Sequence, residues 1–401
     1  MPSSLWLILG QIGLGFAGLE SRTSYGAFAL RLPSPPSGDP PAVLWLKYDD
    51  ILADEVLWCP GDAETGSGQP LPTITGRSAV WTGVAFDVRA QALQLGGSNG
   101  RLPELAPTFV VHEQRGTQAD DVRRTVYACS RIRESGLLFA RVGQDSADGT
   151  SPLLESVMRV ATASPVILRR MSDESRQTTN LFPDIEIELK FTFDQEVSPW
   201  VVTSNLAAAV QRRELPDFIP DVGNEYQRWS YEQDTFALER EGVSVGYAAF
   251  MLTPSQEYVV KYKMYPADAL RRQETFDMNV RIEPSHFSEY LRRALPDVTA
   301  TALPHMTRSR FDVNVQSTRT GHYFGLEMDE VTAAGQTMRQ LELEYHRSQL
   351  VSGCEEETVE PELMRLRDLV ARTLSEWGYS YRVDYFSKLS FLRSLQGDAS
   401  E

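Results

Sequence analysis

Cysteine is scarce in this 401-residue chain: Cys59, Cys129 and Cys354 are too few and too scattered for a disulfide framework or a thiolate zinc site. A reducing interior follows as the setting. Long apolar runs are lacking too. The stretch Leu5–Leu19 is interrupted by Gln11 and four glycines, has no basic leader and is too short to cross a bilayer. It reads as a buried strand and turn, and the chain as cytoplasmic with no membrane partner. Positive charge is short as well, with 39 Lys+Arg against 55 Asp+Glu and a formal net charge of −16. That balance excludes a general nucleic-acid coat, which needs a basic surface to displace counterions. It equally excludes polybasic anchoring to an anionic membrane. Lysine is scarcest of all: only Lys47, Lys190, Lys261, Lys263 and Lys388 among the 39 basic residues. In a chain that otherwise writes arginine, each lysine asks for a reason.

What is present is an ordinary globular composition, 42% hydrophobic and 23% charged, at a length that suggests two domains. Residues 181–401 carry 36 acidic and 23 basic groups, against 19 and 16 in residues 1–180, so acidity gathers in the second half. In the first half, Leu5–Leu9, Ala42–Leu46, Thr108–Val111 and Leu137–Val142 read as strands, separated by Pro/Gly/Ser stretches. Val122, Val126, Cys129 and Ile132 at helical spacing predict a helix over Asp120–Glu134, and a second is expected over Pro152–Ala163. The polar segment Met171–Asn180 reads as a linker, dividing a mixed α/β domain at 1–175 from a second domain at 181–395. Gly13-x-Gly15-x-x-Gly18 superficially fits a dinucleotide fingerprint. It lacks the following helix and the acidic residue about 20 positions on, and is read as a Gly-rich turn.

The second half alternates in an unusual way. In Asp184–Phe191, Glu186, Glu188 and Lys190 share one strand face opposite Ile185, Ile187, Leu189 and Phe191. Lys261 and Lys263 oppose Val260, Tyr262 and Met264; Arg308, Arg310, Asp312 and Asn314 oppose Phe311, Val313 and Val315. Glu327 and Asp329 oppose Phe324, Leu326 and Met328, and Glu342 and Glu344 oppose Leu341, Leu343 and Tyr345. One such strand is a half-solvated sheet edge. Five, with polar faces of nearly pure carboxylate, lysine and arginine, suit a sheet closed on itself around a hydrated interior. Helices would then cover the apolar outside, and Pro361–Trp377 has the spacing for one.

Such an interior has two complementary chemistries. Glu186, Glu188, Glu342, Glu344 and Asp329 offer hard oxygen ligands for Mg²⁺ or Mn²⁺. Lys190, Lys261, Lys263, Arg308, Arg310 and Lys388 offer partners for phosphate oxygens. Carboxylates at about 4 Å repel by roughly 4 kcal/mol at an effective dielectric near 20, so such packing calls for cations between them.

At these residues the chain resembles the CYTH domain, the fold of the triphosphate tunnel metalloenzymes. Glu186-Ile-Glu188-Leu-Lys190 looks like its opening ExExK signature. The hairpin region Tyr226–Gly242, the Lys261/Lys263 strand, Arg271-Arg272-Gln-Glu274, the Arg308/Arg310 strand, Phe324–Val331, Glu342-Leu-Glu344 and Ser387-Lys388 follow in order. The resemblance covers about residues 181–395 and none of 1–175. It implies an α+β chain with a C-terminal eight-stranded antiparallel tunnel barrel and covering helices. It further implies a divalent-metal-dependent hydrolase of a triphosphate or organic polyphosphate. Glu186, Glu188, Glu342 and Glu344 would be metal ligands, Lys190, Lys261, Lys263, Arg308, Arg310 and Lys388 would hold phosphate, and Lys190 and Glu188 would act in the reaction itself. The partner is then a phosphorylated small molecule, and a homodimer is allowed. One departure stands out: where the family carries an Arg pair, roughly LRxR, this chain reads Val243–Phe250 with no cation, and Arg240 just before it. Two alternatives stay open: a cyclase or lyase releasing pyrophosphate, and, favoured by that gap, a non-catalytic module binding a phosphorylated ligand and attached to an N-terminal functional domain.

Overall fold

The computed structural model of the chain describes residues 3–10, 27–33, 38–51, 55–59, 69–70, 79–82, 85–88, 106–116, 121–147, 151–171, 173–265 and 267–397. The Gly13–Gly18 motif lies outside them. The chain divides into two compact units. The first comprises Met1–Thr179 with Ser317–Gly321 and Ser348–Thr358; the second comprises Asn180–Gln316, His322–Arg347 and Val359–Glu401.

The first unit is built on β1 (Ser3–Gly10), β2 (Ala27–Leu32), β3 (Val43–Leu46), β4 (Glu55–Cys59), β5 (Gln69–Pro70), β6 (Ala79–Thr82), β7 (Ala85–Val88), β8 (Ala106–Arg115), β9 (Val122–Arg133) and β10 (Gly136–Ala147). Eight of them pair in the order β3-β10-β9-β8-β1-β2-β4-β5, and β6 and β7 pair with each other. Two helices follow, α1 (Leu153–Ala163), as the sequence predicts, and α2 (Pro165–Met171). The helix expected over Asp120–Glu134 is strand β9. The Val122–Val126 spacing of four is even, so it satisfies a period of 2 as well as 3.6. The β-favouring run Thr125-Val126-Tyr127 and the turn ending at Gly136, with φ +148°, decide for a hairpin. The segment Met171–Asn180 is also no free linker. A 3₁₀ turn forms at Glu174–Arg176, and β11 (Thr178–Thr179) pairs with Gln349 and Ser348. Buried Gln177 donates from Nε2 to the carbonyls of Ser130 and Met171 at 2.8 and 2.9 Å.

The second unit contains β12 (Ile185–Phe193), α3 (Pro199–Gln211), β13 (Phe218–Pro220), β14 (Tyr226–Arg240), β15 (Val243–Leu252), β16 (Tyr258–Met264), β17 (Arg271–Val280), α4 (Phe287–Ala294), β18 (Thr299–Ala302), β19 (Met306–Ser317), β20 (His322–Ala333), β21 (Gln336–Gln349), α5 (Val359–Glu376), β22 (Tyr381–Asp384) and α6 (Lys388–Gly397). Antiparallel pairing runs β21-β20-β19-β14-β15-β16-β17-β12 and then returns, because β12 also pairs β21. The eight strands therefore form a closed circuit of pairings. Local chemistry supports it: Glu241 and Gly242, both at positive φ, make the tight β14–β15 turn, and Ser198 caps α3 ahead of Pro199.

The apolar faces of these strands are covered by helices. Ile187, Leu189, Phe191, Phe324, Leu326, Leu341 and Leu343 pack with Val202, Leu206 and Val210 of α3 and Leu363, Leu366 and Val370 of α5. Phe236, Leu238, Ala248, Phe250 and Val260 pack with Phe287 and Leu291 of α4. The helix expected over Pro361–Trp377 is thus α5. Both units are mostly antiparallel sheet with some helices.

Candidate functional site: a closed circuit of charged strands

The face opposite those helices carries the charge. Register places Glu188 against Glu344 and Lys190 against Glu342 across β12 and β21, and Glu186 against Arg272 across β12 and β17. Arg310 stands against Asp329 and Asp312 against Glu327 across β19 and β20. Alternation within each strand, together with this register, turns the charged positions toward one another.

They meet in one ion-pair network. Lys190 Nζ lies 3.1 Å from Glu188 and 2.8 Å from Glu342. Lys263 lies 2.6 Å from Glu186 and 3.4 Å from Glu274, which also holds Lys261 at 2.8 Å. Lys388, the first residue of α6, reaches Glu342 at 2.7 Å and Asp329 at 2.9 Å. Arg308 pairs with Asp329 at 2.5 Å and Glu342 at 3.2 Å; Arg310 contacts Asp329 at 2.7 Å and also Glu342 and Glu327. Arg272 closes on Glu188. Four of the five lysines therefore sit in this network, and all six proposed phosphate ligands belong to it.

The carboxylates fall into two classes. Glu342 is enclosed by Lys190, Lys388, Arg308 and Arg310. Although burial raises its pKa, Lys190 and Lys388 overcome that and hold it well below the usual carboxylate range. Glu186, Glu188 and Glu344 instead bring one ligand oxygen each to within 4.8 Å of one another. Burial and then the charge of Glu188 push Glu186 up to about 7, and burial and then Glu186 push Glu344 up to about 8. Glu188 goes the other way: burial and Glu342 raise it, but Lys190, Lys263 and Arg272 carry it below the usual range. Its Oε1 takes all of these contacts, and its fully buried Oε2 has no hydrogen-bond partner. A buried carboxylate oxygen without a hydrogen-bond partner thus stands beside two carboxyls whose pKa is raised. Of the four expected metal ligands, Glu186, Glu188 and Glu344 bring oxygens together, while Glu342 is enclosed by cations.

The charged face has an apolar end. Met306, Val331, Ala333 and Met338 share the parity of the charged residues on their strands, Tyr247 and Ala249 stand in register with Lys263 and Lys261, and Ala237 with Tyr247; all pack with Leu389, Phe391 and Leu392 of α6. Tyr247 and Ala249, in the cation-free stretch Val243–Phe250, stand against Lys263 and Lys261. That stretch forms part of the surface that seats α6, and Arg240 is exposed. The helix in turn brings in Lys388.

Several contributors escape sequence reading as site residues. Arg272 and Glu274 alternate as Glu186 and Glu188 do, and that pattern could have marked them. His346, two positions beyond Glu344, lies 3.0 Å from Glu327, and a second group with ligand atoms within 4.8 Å joins Glu327, Glu344 and His346. Asp312, pushed up to about 7 by burial and then by Asp329, accepts from the Trp229 indole at 3.2 Å.

No family model and no curated protein matches the chain. Among solved structures it is similar to a Hippeastrum protein assigned as an adenylyl cyclase and reported to have a dominant triphosphatase activity, with 18% identity and TM-score 0.32 over 52% of this chain and 95% of that one. A Bacillus halodurans protein assigned as an adenylate cyclase matches at 13% identity and TM-score 0.26, over 50% of this chain and 94% of that one. The S. pombe RNA triphosphatase matches at 12% identity and TM-score 0.20, over 49% and 82%. No helix among the described residues is long and apolar enough to cross a membrane.

Proposed function

We propose that the second unit is a charged β-tunnel and a divalent-metal-dependent hydrolase of a triphosphate-bearing small molecule. The observation that carries this is the sorting of the network: a carboxylate trio with an unpartnered buried oxygen beside six cations that each already hold a carboxylate. Glu186, Glu188 and Glu344 fit Mg²⁺ or Mn²⁺, since their donors are all hard oxygens. A cation held there supplies Lewis-acid polarisation of a phosphoryl oxygen.

The chain's own residues do the rest. Lys190, Lys263, Lys388, Arg308 and Arg310 are donors only, so each can exchange a carboxylate oxygen for a phosphate oxygen without losing its charge partner. Lys261 stands behind Lys263 through their shared Glu274. Fixed cations around the transferring group stabilise the charge that develops in phosphoryl transfer, and their strand positions are set before substrate arrives. Glu188, kept ionised, serves the metal; Lys190, between Glu188 and Glu342, ties the metal side to the phosphate side.

Tyr247 and Ala249 favour a second reading, in which the unit binds a phosphorylated ligand without turning it over. One screen separates the two and the pyrophosphate-releasing alternative: inorganic tripolyphosphate and nucleoside triphosphates with Mg²⁺ or Mn²⁺, reading phosphate and pyrophosphate. Phosphate release supports the hydrolase, pyrophosphate release the cyclase or lyase, and binding with no release the module. No binding of any of them overturns all three.

A further inference from the structure

Strand β14 differs from the charged strands of the circuit. Where β12, β16, β19, β20 and β21 turn charged groups to the shared face, β14 turns Trp229 and Tyr231. Tyr231 is used: its hydroxyl accepts from Arg308 at 2.7 Å. Trp229 is not. It stands against Arg310 in register, is 52% exposed, and has no ring partner among the described residues. Trp200, Tyr226 and Phe311 pack with one another on the opposite face, as strand parity requires. An exposed tryptophan alone is ordinary. This one is anchored, because its Nε1–H donates to Oδ2 of buried Asp312 at 3.2 Å, which holds the indole beside the charged set and leaves ring surface open.

Resting on the function proposed above, we infer that Trp229 is a specificity-determining residue, whose indole stacks on a planar aromatic ring carried by the phosphate chain. Neighbouring strands lie about 4.8 Å apart, so a phosphate held by Arg310 leaves the group esterified to it within reach of the adjacent indole. Stacking of a base on an aromatic side chain is tolerant of which base is offered. The ligand class is therefore a nucleoside triphosphate in preference to a ring-less organic triphosphate.

The test compares two non-hydrolysable ligands on the full chain with Mn²⁺: the β,γ-imido analogue of ATP, and the β,γ-imido analogue of methyl triphosphate (methyl triphosphate below), an ester of the same phosphate chain without a ring. Affinities are measured for wild type, Trp229→Ala and Trp229→Phe, with melting temperatures as the check on folding. Trp229→Ala should weaken the nucleotide analogue about ten-fold and leave methyl triphosphate within about two-fold, while Trp229→Phe restores most of the loss. Equal weakening of both ligands would mean that Trp229 acts only through Asp312 and Arg310, and overturns the inference. So does an unchanged nucleotide affinity, or a wild type that binds both alike. If methyl triphosphate fails to bind wild type while the nucleotide binds, the phosphate site itself is misassigned, and the proposed function falls first.

Discussion

Glu188 and Glu344 face each other across β12 and β21, yet their protons go opposite ways: Glu188 is held ionised by Lys190, Lys263 and Arg272, while burial and Glu186 push Glu344 up to about 8. The pair is asymmetric because cations reach it from the β12 side, and the charges acting most on Glu344 are Glu186, His346, Glu188 and Glu274. A divalent ion between them would remove the asymmetry.

Replacing both Glu188 and Glu344 by Gln keeps their shape and removes two negative charges from the hard-cation set. Mn²⁺ affinity by calorimetry should drop beyond detection while the circular-dichroism spectrum stays native. Unchanged Mn²⁺ binding would place the metal elsewhere, with the group of Glu327 and His346 as the next candidate.

Lys190→Met should cost stability as well as ligand affinity. The lysine is fully buried between Glu188 and Glu342, and removing one partner of a buried pair costs about 3–5 kcal/mol. Binding of a non-hydrolysable triphosphate should also weaken, by about 1.5–3 kcal/mol. Urea unfolding and calorimetry on the same variant separate the two effects; a loss of stability with affinity spared would make Lys190 purely structural.

Ala249→Arg places a cation in the stretch Val243–Phe250, which has none. Ala249 is fully buried in the apolar cluster that seats α6, so the guanidinium would have to displace Phe391 or Leu392 or stand unpaired among them. Loss of about 3 kcal/mol or more is expected, read as a lower urea midpoint. A variant as stable as wild type would mean that α6 is readily released from this face.

His322 gives the pH dependence. Its ring is fully buried against Phe324 and Tyr345, with centroids 6.4 and 6.0 Å away, and burial lowers its pKa from 6.5 to about 4. The folded chain therefore binds fewer protons here than the unfolded chain. The stabilisation is complete above pH 6.5 and lost as pH falls toward 4, on the order of 3 kcal/mol in all. The acid-induced loss between pH 7 and 4 should be smaller in His322→Gln by that amount; equal losses would show that His322 does not titrate.

The charged faces were legible because period 2 is visible within a strand: Glu186, Glu188 and Lys190 declare a face with no other information. Which strands become neighbours is not local, so the division of labour between Glu342 and Glu344 was hidden. Both sit on one strand face, and only the arrival of Lys388, Arg308 and Arg310 separates their roles. Over Val122–Ile132 the helical spacing misleads, because Val122–Val126 fits both periods and the steps of three lead on to a half-buried Cys129 and an exposed Ile132. The short run Lys388-Leu-Ser-Phe-Leu hid α6, whose apolar residues cover a face expected to be polar throughout.

The pairing of β12 with β21 sets a timetable for synthesis. Glu188 is made long before Glu344, and until β21 is complete β12 has a bare edge, so the circuit can close only late and through contacts of large sequence separation. Lys388 follows later still. Glu188 and Glu344 are thus kept apart while most of the chain emerges, and meet after Lys190, Lys263, Arg272, Arg308 and Arg310 have been made, with Lys388 the last cation of the network to arrive.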